Sequence, residues 1–138
     1  MLRILLDTNI YVSAILFKGK PRLVLQELVD ERVLAFISNE ILKELEDTLS
    51  KPKFKLNNDF VQIVISEIRD ITKLISISPL NNYLELRDRN DYHILEAAYS
   101  AKIDFLVTGD KDLLSLKNKP DFKIVSPEEF LRIKEEDK

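Results

Sequence analysis

The chain has 138 residues and a mass of 16.1 kDa, with 45% hydrophobic and 33% charged residues. That is the size and balance of one globular domain spanning 1–138, able to bury a core without disulfides or a structural metal. With no cysteine, one histidine and two glycines, it excludes thiol nucleophiles, cysteine-ligated zinc, iron–sulfur clusters, multi-histidine sites and glycine-rich phosphate loops, while a formal charge of -3 offers no overall basic field for nucleic acid.

The elements alternate short apolar runs with helical stretches. Residues 2–6 read as a buried strand, and 9–17 and 21–31 as helices broken at Lys18-Gly19-Lys20. Residues 33–37 form a second strand. Ser38 or Asn39 caps a helix that runs to about Ser50 and is ended by Pro52. Asn57-Asn58-Asp59 opens a helix to about Thr72, with an apolar stripe of Val61, Val64, Ile65 and Ile68. Residues 74–77 give a third strand, and 79–87 read as irregular. Asp88 or Asn90 starts a helix to about Lys102. Residues 105–107 form a fourth strand, 110–116 a short helix and 122–125 a fifth strand. Ser126-Pro127-Glu128-Glu129 is a helix start with acids at the positive dipole end, and the charged run 134–138 is expected to fray.

Strands separated by helices imply right-handed crossovers and a mostly parallel, about five-stranded sheet covered on both faces, an α/β/α sandwich. No apolar run is long enough to span a membrane, and no signal peptide is evident. With the absent cysteines this fits a cytoplasmic protein.

With 24 Asp plus Glu, carboxylate is the plentiful chemistry. In open parallel sheets ligands bind beyond the carboxyl ends of the strands, where the strand order reverses. Asp7 directly follows the first strand, and Asp110 follows the fourth through Thr108-Gly109. The plain alternative for each is a turn acid or a helix cap. Asp91 shares a helix face with Ile94, Leu95 and Ala98, at spacing i, i+3, i+4 and i+7. An ionised carboxylate on that stripe is costly unless paired or bound to metal, and its alternative is a solvated first turn. Glu44 and Glu46 flank opposite edges of the Ile41/Leu45/Leu49 stripe, and helix geometry does not choose between them. Converging carboxylates need protons or cations. Oxygen-only ligands suit one or two Mg²⁺ or Mn²⁺ ions, which activate water and stabilise the charge developing in phosphodiester displacement.

Across these residues the sequence resembles the PIN-domain family over nearly its whole length. The matching pieces are Leu5-Leu6-Asp7-Thr8-Asn9, Ser38-Asn39-Glu40-Ile41-Leu42-Lys43-Glu44-Leu45 with Lys51-Pro52-Lys53-Phe54, Arg87-Asp88-Arg89-Asn90-Asp91, and Leu106-Val107-Thr108-Gly109-Asp110-Lys111-Asp112-Leu113-Leu114. The branch it resembles is that of toxins of toxin–antitoxin pairs, related to VapC-like ribonucleases. The resemblance implies an α/β/α sandwich and a Mg²⁺- or Mn²⁺-dependent endoribonuclease. Its acidic quartet would be Asp7, Glu44, Asp91 and Asp110, which selects Glu44 over Glu46. Asp112 would hold a further metal contact through water, and Thr8, Asn9 and Thr108 would support the ligands. The resemblance also implies a homodimer and a protein antitoxin. Related domains serve RNA processing, and no residue here separates that role from a toxin's.

For RNA phosphates, Arg87, Arg89 and Lys111 flank the expected site, and Lys51 and Lys53 lie beside Phe54; a solvated loop is the plain alternative for the latter cluster. Lys18, Lys20 and Arg22 form a similar patch. His93 reads as a surface histidine, and Tyr11 with Val12, Ile15 and Leu16 as core, with a dimer surface as the alternative. Two competing functions are a PIN-like module that binds RNA without cleaving it and a phosphoacceptor receiver. The receiver would need an Asp ending the third strand and a Lys after the fifth, where Ser76-Ile77-Ser78 and Val125-Ser126-Pro127 stand.

Overall fold

Ile4, Leu5 and Leu6 are each fully buried, which places their strand, β1 (Arg3–Leu6), at the centre of the sheet. The computed structural model describes residues 1–78, 92–116 and 121–136. In these, β1 is followed by α1 (Thr8–Leu16), α2 (Lys20–Val29), β2 (Leu34–Ile37), α3 (Asn39–Leu49), a 3-10 turn (Pro52–Phe54), α4 (Asn58–Asp70) and β3 (Lys73–Leu74). Then come α5 (Tyr92–Ala101), β4 (Phe105–Val107), α6 (Lys111–Leu114), β5 (Lys123–Val125) and α7 (Pro127–Glu136). The five strands are parallel, in the order β3-β2-β1-β4-β5. Leu5 is in register with Phe36 on one side and Leu106 on the other. This is the expected three-layer α/β/α sandwich.

The direction of chain travel decides where a site can form. From β1 the chain moves through β2 to β3, then returns past β1 to β4 and β5. The order reverses between β1 and β4, and the crevice at a reversal opens beyond the strands' carboxyl ends. Asp7 and Thr108 therefore leave neighbouring strands at the same end.

Local chemistry sets the element ends. The Ser38 hydroxyl accepts from the Ile41 N–H at 3.1 Å, and the Asn57 side chain accepts from the Phe60 N–H at 3.1 Å, so both expected caps form. Pro21 sits in the first turn of α2, where a missing N–H costs nothing. Two arginines close helix C-termini. Arg22 donates to the Ala14 and Ile15 carbonyls, and Arg3 to those of Ala101 and Lys102. Arg22, read from the sequence as part of a basic patch, is thus committed to ending α1.

The third strand departs from expectation. It covers Lys73–Leu74 and both residues are exposed, whereas 74–77 was the predicted run. An edge strand needs few buried side chains, so apolar residues mark its ends poorly. The C-terminal charged run also differs. Helix α7 continues through Glu136, with the Lys134 ammonium 3.4 Å from the Arg32 carbonyl, where fraying from 134 was expected. The predicted helix start at Asp88 or Asn90 lies outside the described residues.

Tyr11 is fully buried on α1, as expected of core, yet its hydroxyl has no partner among the described residues. Burial pushes its ionisation well above the ordinary range. A buried unpaired hydroxyl costs free energy that a phenyl ring avoids. Tyr11→Phe is therefore expected to leave stability unchanged or raise it by up to about 1 kcal/mol, read by thermal or urea unfolding; a loss above that would show that the hydroxyl has a partner.

Candidate functional site

Asp7 occupies the N-cap position of α1 but does not cap it with its side chain. Its backbone N–H continues the β1/β4 ladder to the Val107 carbonyl at 3.0 Å. The carboxylate is 7% exposed, and its Oδ2 accepts from the Thr108 hydroxyl at 2.8 Å. Thr108, fully buried at the end of β4, also accepts from the Asp110 N–H at 3.0 Å. One threonine thus ties the acid after β1 to the turn after β4.

Burial is the largest influence on Asp7 and holds its carboxyl above the ordinary carboxylate range. Hydrogen bonds from Thr108 and from the Thr8 backbone N–H oppose this, and the negative charges of Asp110 and Glu44 add to it. Two of the other expected acids, Asp110 and Glu44, are therefore close enough to Asp7 to act on it electrostatically. Asp91, the fourth, lies outside the described residues, as do Arg87 and Arg89.

Asp110 has a second task. Its Oδ1 accepts from the N–H groups of Asp112 at 2.8 Å and Leu113 at 3.4 Å, capping α6. The cap reading and the site reading hold together here, because a carboxylate has another oxygen to offer. Asp112 is half-buried in the first turn of α6, and Lys111 beside it is exposed.

Glu44 comes from α3, and 46% of its side chain is exposed. Its Oε1 accepts from the Thr8 hydroxyl at 3.2 Å and lies 2.6 Å from His93 Nε2 on α5. Glu46 turns instead toward α4, where it accepts from the Gln62 amide at 2.9 Å. The packing of α3 between these neighbours gives Glu44 and Glu46 different partners, a difference that helix periodicity does not show.

His93 is the residue sequence reasoning misplaced. It was read as a surface histidine, but its side chain is 21% exposed, paired with Glu44, and has a buried Nδ1. The available signal was that the chain's one histidine stands two residues after Asp91, an acid expected at the site. His93 and Glu44 line an open depression of about 290 Å³ with Glu40, Lys43 and Asp47. Thr8 is buried and Asn9 exposed. Lys51 and Lys53 are exposed at the 3-10 turn beyond α3, with the Lys53 ammonium 5.0 Å from the Phe54 ring centre.

All the donors are oxygens apart from His93, and the buried Asp7 carboxylate is destabilised by burial and by neighbouring negative charge. That chemistry fits a hard divalent cation. Among the described residues no group of three acidic, histidine or cysteine side chains is placed to hold a metal ion, and Asp91 lies outside them. Mg²⁺ is characteristically held by one or two carboxylates while keeping several waters, so an open arrangement with Asp7 as anchor suits it.

Sequence and structure comparisons agree with this fold. The uncharacterized protein MJ1680 of Methanocaldococcus jannaschii is 27% identical over 142 residues, covering 94% of this chain and 90% of that protein. Among solved structures, VapBC2 from Rickettsia felis, bound to a DNA fragment from its promoter, superposes with a TM-score of 0.67 at 21% identity. The match covers 91% of this chain and 98% of that one. PAE2754 from Pyrobaculum aerophilum superposes with a TM-score of 0.62 at 17% identity, over 96% of this chain and 88% of that one. The sequence model of the PIN domain matches residues 3–112. Since that match runs from β1 into the first turn of α6, across the strand reversal and its acids, the chain belongs to the PIN-domain family.

Proposed function

We propose that this protein is a Mg²⁺- or Mn²⁺-dependent endoribonuclease and the toxin of a toxin–antitoxin pair. PIN domains are generally nucleases and usually use divalent metals. The observation that carries the reading for this chain is the buried Asp7 carboxylate at the β1/β4 reversal, acted on by the charges of Asp110 and Glu44. A carboxylate kept there without a cation is a cost to the fold, and such costs mark functional sites.

Asp7, Asp91 and Asp110 would hold one or two ions, directly or through water, with Glu44 completing the cluster and Asp112 reaching it through water. Bound there, the ions would supply a water nucleophile at neutral pH and positive charge against the phosphoryl oxygens. The chain's own residues hold the arrangement. Thr108 orients Asp7, Thr8 and His93 orient Glu44, and the cap to α6 fixes Asp110. Asn9 adds a polar group at the rim. In the hydrolysis, the oxygen of water would bond to phosphorus as the bond to a ribose oxygen breaks, the water's proton passing to a carboxylate such as Glu44 or to solvent while a solvent proton converts the departing ribose oxygen to a hydroxyl. Arg87, Arg89, Lys111, Lys51 and Lys53 are the cations proposed to meet RNA phosphates.

The structural likeness to VapBC2 supports a protein antitoxin as partner, and the same reading takes the chain as a cytoplasmic homodimer. Among the described residues no helix is long and apolar enough to cross a membrane.

The test is cleavage of a mixed RNA set with Mn²⁺, beside RNA binding in EDTA. Asp91→Asn is expected to lower cleavage on the order of 10²-fold or more while the protein stays folded. Metal-dependent cleavage that survives in a folded Asp91→Asn protein removes Asp91 from the site. Binding without cleavage by the unaltered chain favours the RNA-binding module instead.

A further inference from the structure

The contact between α5 and α3 carries more than packing. A glutamate 46% exposed on a helix would ordinarily sample many rotamers, because its side chain loses considerable entropy when fixed. Glu44 is instead held at one atom from two elements. The Thr8 hydroxyl from α1 and His93 Nε2 from α5 both meet Oε1, at 3.2 and 2.6 Å. The other oxygen, Oε2, takes no part in this clamp.

The histidine's own state fits such a role. A nitrogen 2.6 Å from a carboxylate oxygen must carry a proton, so Nε2 is the donor. Nδ1 is buried without a hydrogen-bond partner among the described residues, an arrangement that costs stability. The ring's neighbours on α5, Ile94 and Leu95, are buried in the core and fix where the imidazole can reach. Glu46 provides the internal contrast. It sits two residues along the same helix and accepts from a single amide, that of Gln62 on α4.

We infer that His93 is a positioning residue for the metal site: its Nε2–H and the Thr8 hydroxyl together fix Glu44 Oε1, so that Oε2 is presented to the divalent cation or its water shell. This rests on the nuclease reading above. Donors that orient a metal's carboxylate partners typically matter 10–100-fold for metal affinity or activity.

Mn²⁺ affinity of the metal-stripped full chain, measured by calorimetry and electron paramagnetic resonance, tests it. His93→Phe keeps the ring's packing and removes the donor. It is expected to weaken Mn²⁺ binding by about tenfold or more. His93→Gln, whose amide reaches the position of Nε2, should stay within about threefold of the unaltered protein, since it restores the donor. In a Glu44→Gln background, His93→Phe should add less than about twofold, because two changes on one interaction do not add. Melting curves establish the fold first, and His93→Leu replaces a His93→Phe protein that melts early. Unchanged Mn²⁺ affinity in His93→Phe, or an equal loss with and without Glu44, overturns the positioning role and leaves the nuclease reading intact. Failure of the unaltered chain to bind Mn²⁺ saturably or to cleave RNA with it overturns both.

Discussion

Asp7→Asn is expected to abolish RNA cleavage, on the order of 10²–10³-fold, and at the same time to raise the melting temperature of the metal-free protein. Both effects come from the same burial. The carboxylate is 7% exposed, and burial holds its pKa above the ordinary value. Thr108 and the Thr8 N–H offset part of that cost, and the charges of Asp110 and Glu44 add to it. A carboxyl whose folded pKa is raised stabilises the fold in its protonated form. That contribution is present below the unfolded value of 3.8 and is lost as pH rises through the folded value. At pH 7 the ionised group is therefore a net cost, and the isosteric amide avoids it while its oxygen can still accept from Thr108. A gain of about 1 kcal/mol, roughly 3–5 °C for a domain of this size, is the expected result. The gain should shrink as pH falls from above the raised folded value toward about 4, because the native carboxyl then takes up its proton. Scanning calorimetry of the two proteins across pH measures it; an Asp7→Asn protein that melts lower at pH 7 would falsify the burial argument.

Divalent metal is expected to reverse the order. A cation that binds only the folded state at a hundred times its dissociation constant stabilises that state by about 2.7 kcal/mol, near 10 °C here. With Mn²⁺ present the unaltered protein should therefore melt above Asp7→Asn, and EDTA should restore the metal-free order. Protons compete for the same oxygens, so the metal's effect should fade as pH drops through the Asp7 range. A Mn²⁺ shift of equal size in both proteins would place the cation elsewhere. The expectation follows from an open site that uses few direct carboxylates. Such a site depends heavily on its anchor, and among the described residues Asp7 is the buried acid that can serve as one.

Much of this was legible in the residues. The run Ile4-Leu5-Leu6 ends abruptly at an acid, and such a run in a chain of alternating helices marks a central parallel strand. Ser38 and Asn57 announced their helices because a cap is a local bond between a side chain and an amide a few positions away. Asp7 and Asp110 could be named as candidates because strand ends are where a parallel sheet opens. The limits are equally physical. Lys73–Leu74 is an edge strand with exposed side chains, so hydrophobic runs could not bound it. Periodicity could not rank Glu44 against Glu46, since both sit beside the stripe and only the placement of α1, α4 and α5 around α3 gives them different partners. His93 looked solvated because a helix wheel measures its angle from the core and says nothing of a neighbouring helix covering that angle.

What the sequence determined by itself was the chemistry on offer and the rhythm that carries it. Carboxylates were abundant, thiols absent, histidine single, and strands and helices alternated in the manner of a parallel sheet. Local hydrogen bonds and hydrophobic periodicity set such features, and both act over a few residues. Tertiary structure alone decided that Thr108 would reach across from β4 to hold Asp7, and that His93 would meet Glu44 rather than water. These pairings join residues about 101 and 49 positions apart, and what brings them together is the reversal of strand order beside β1 and the packing of helices across it.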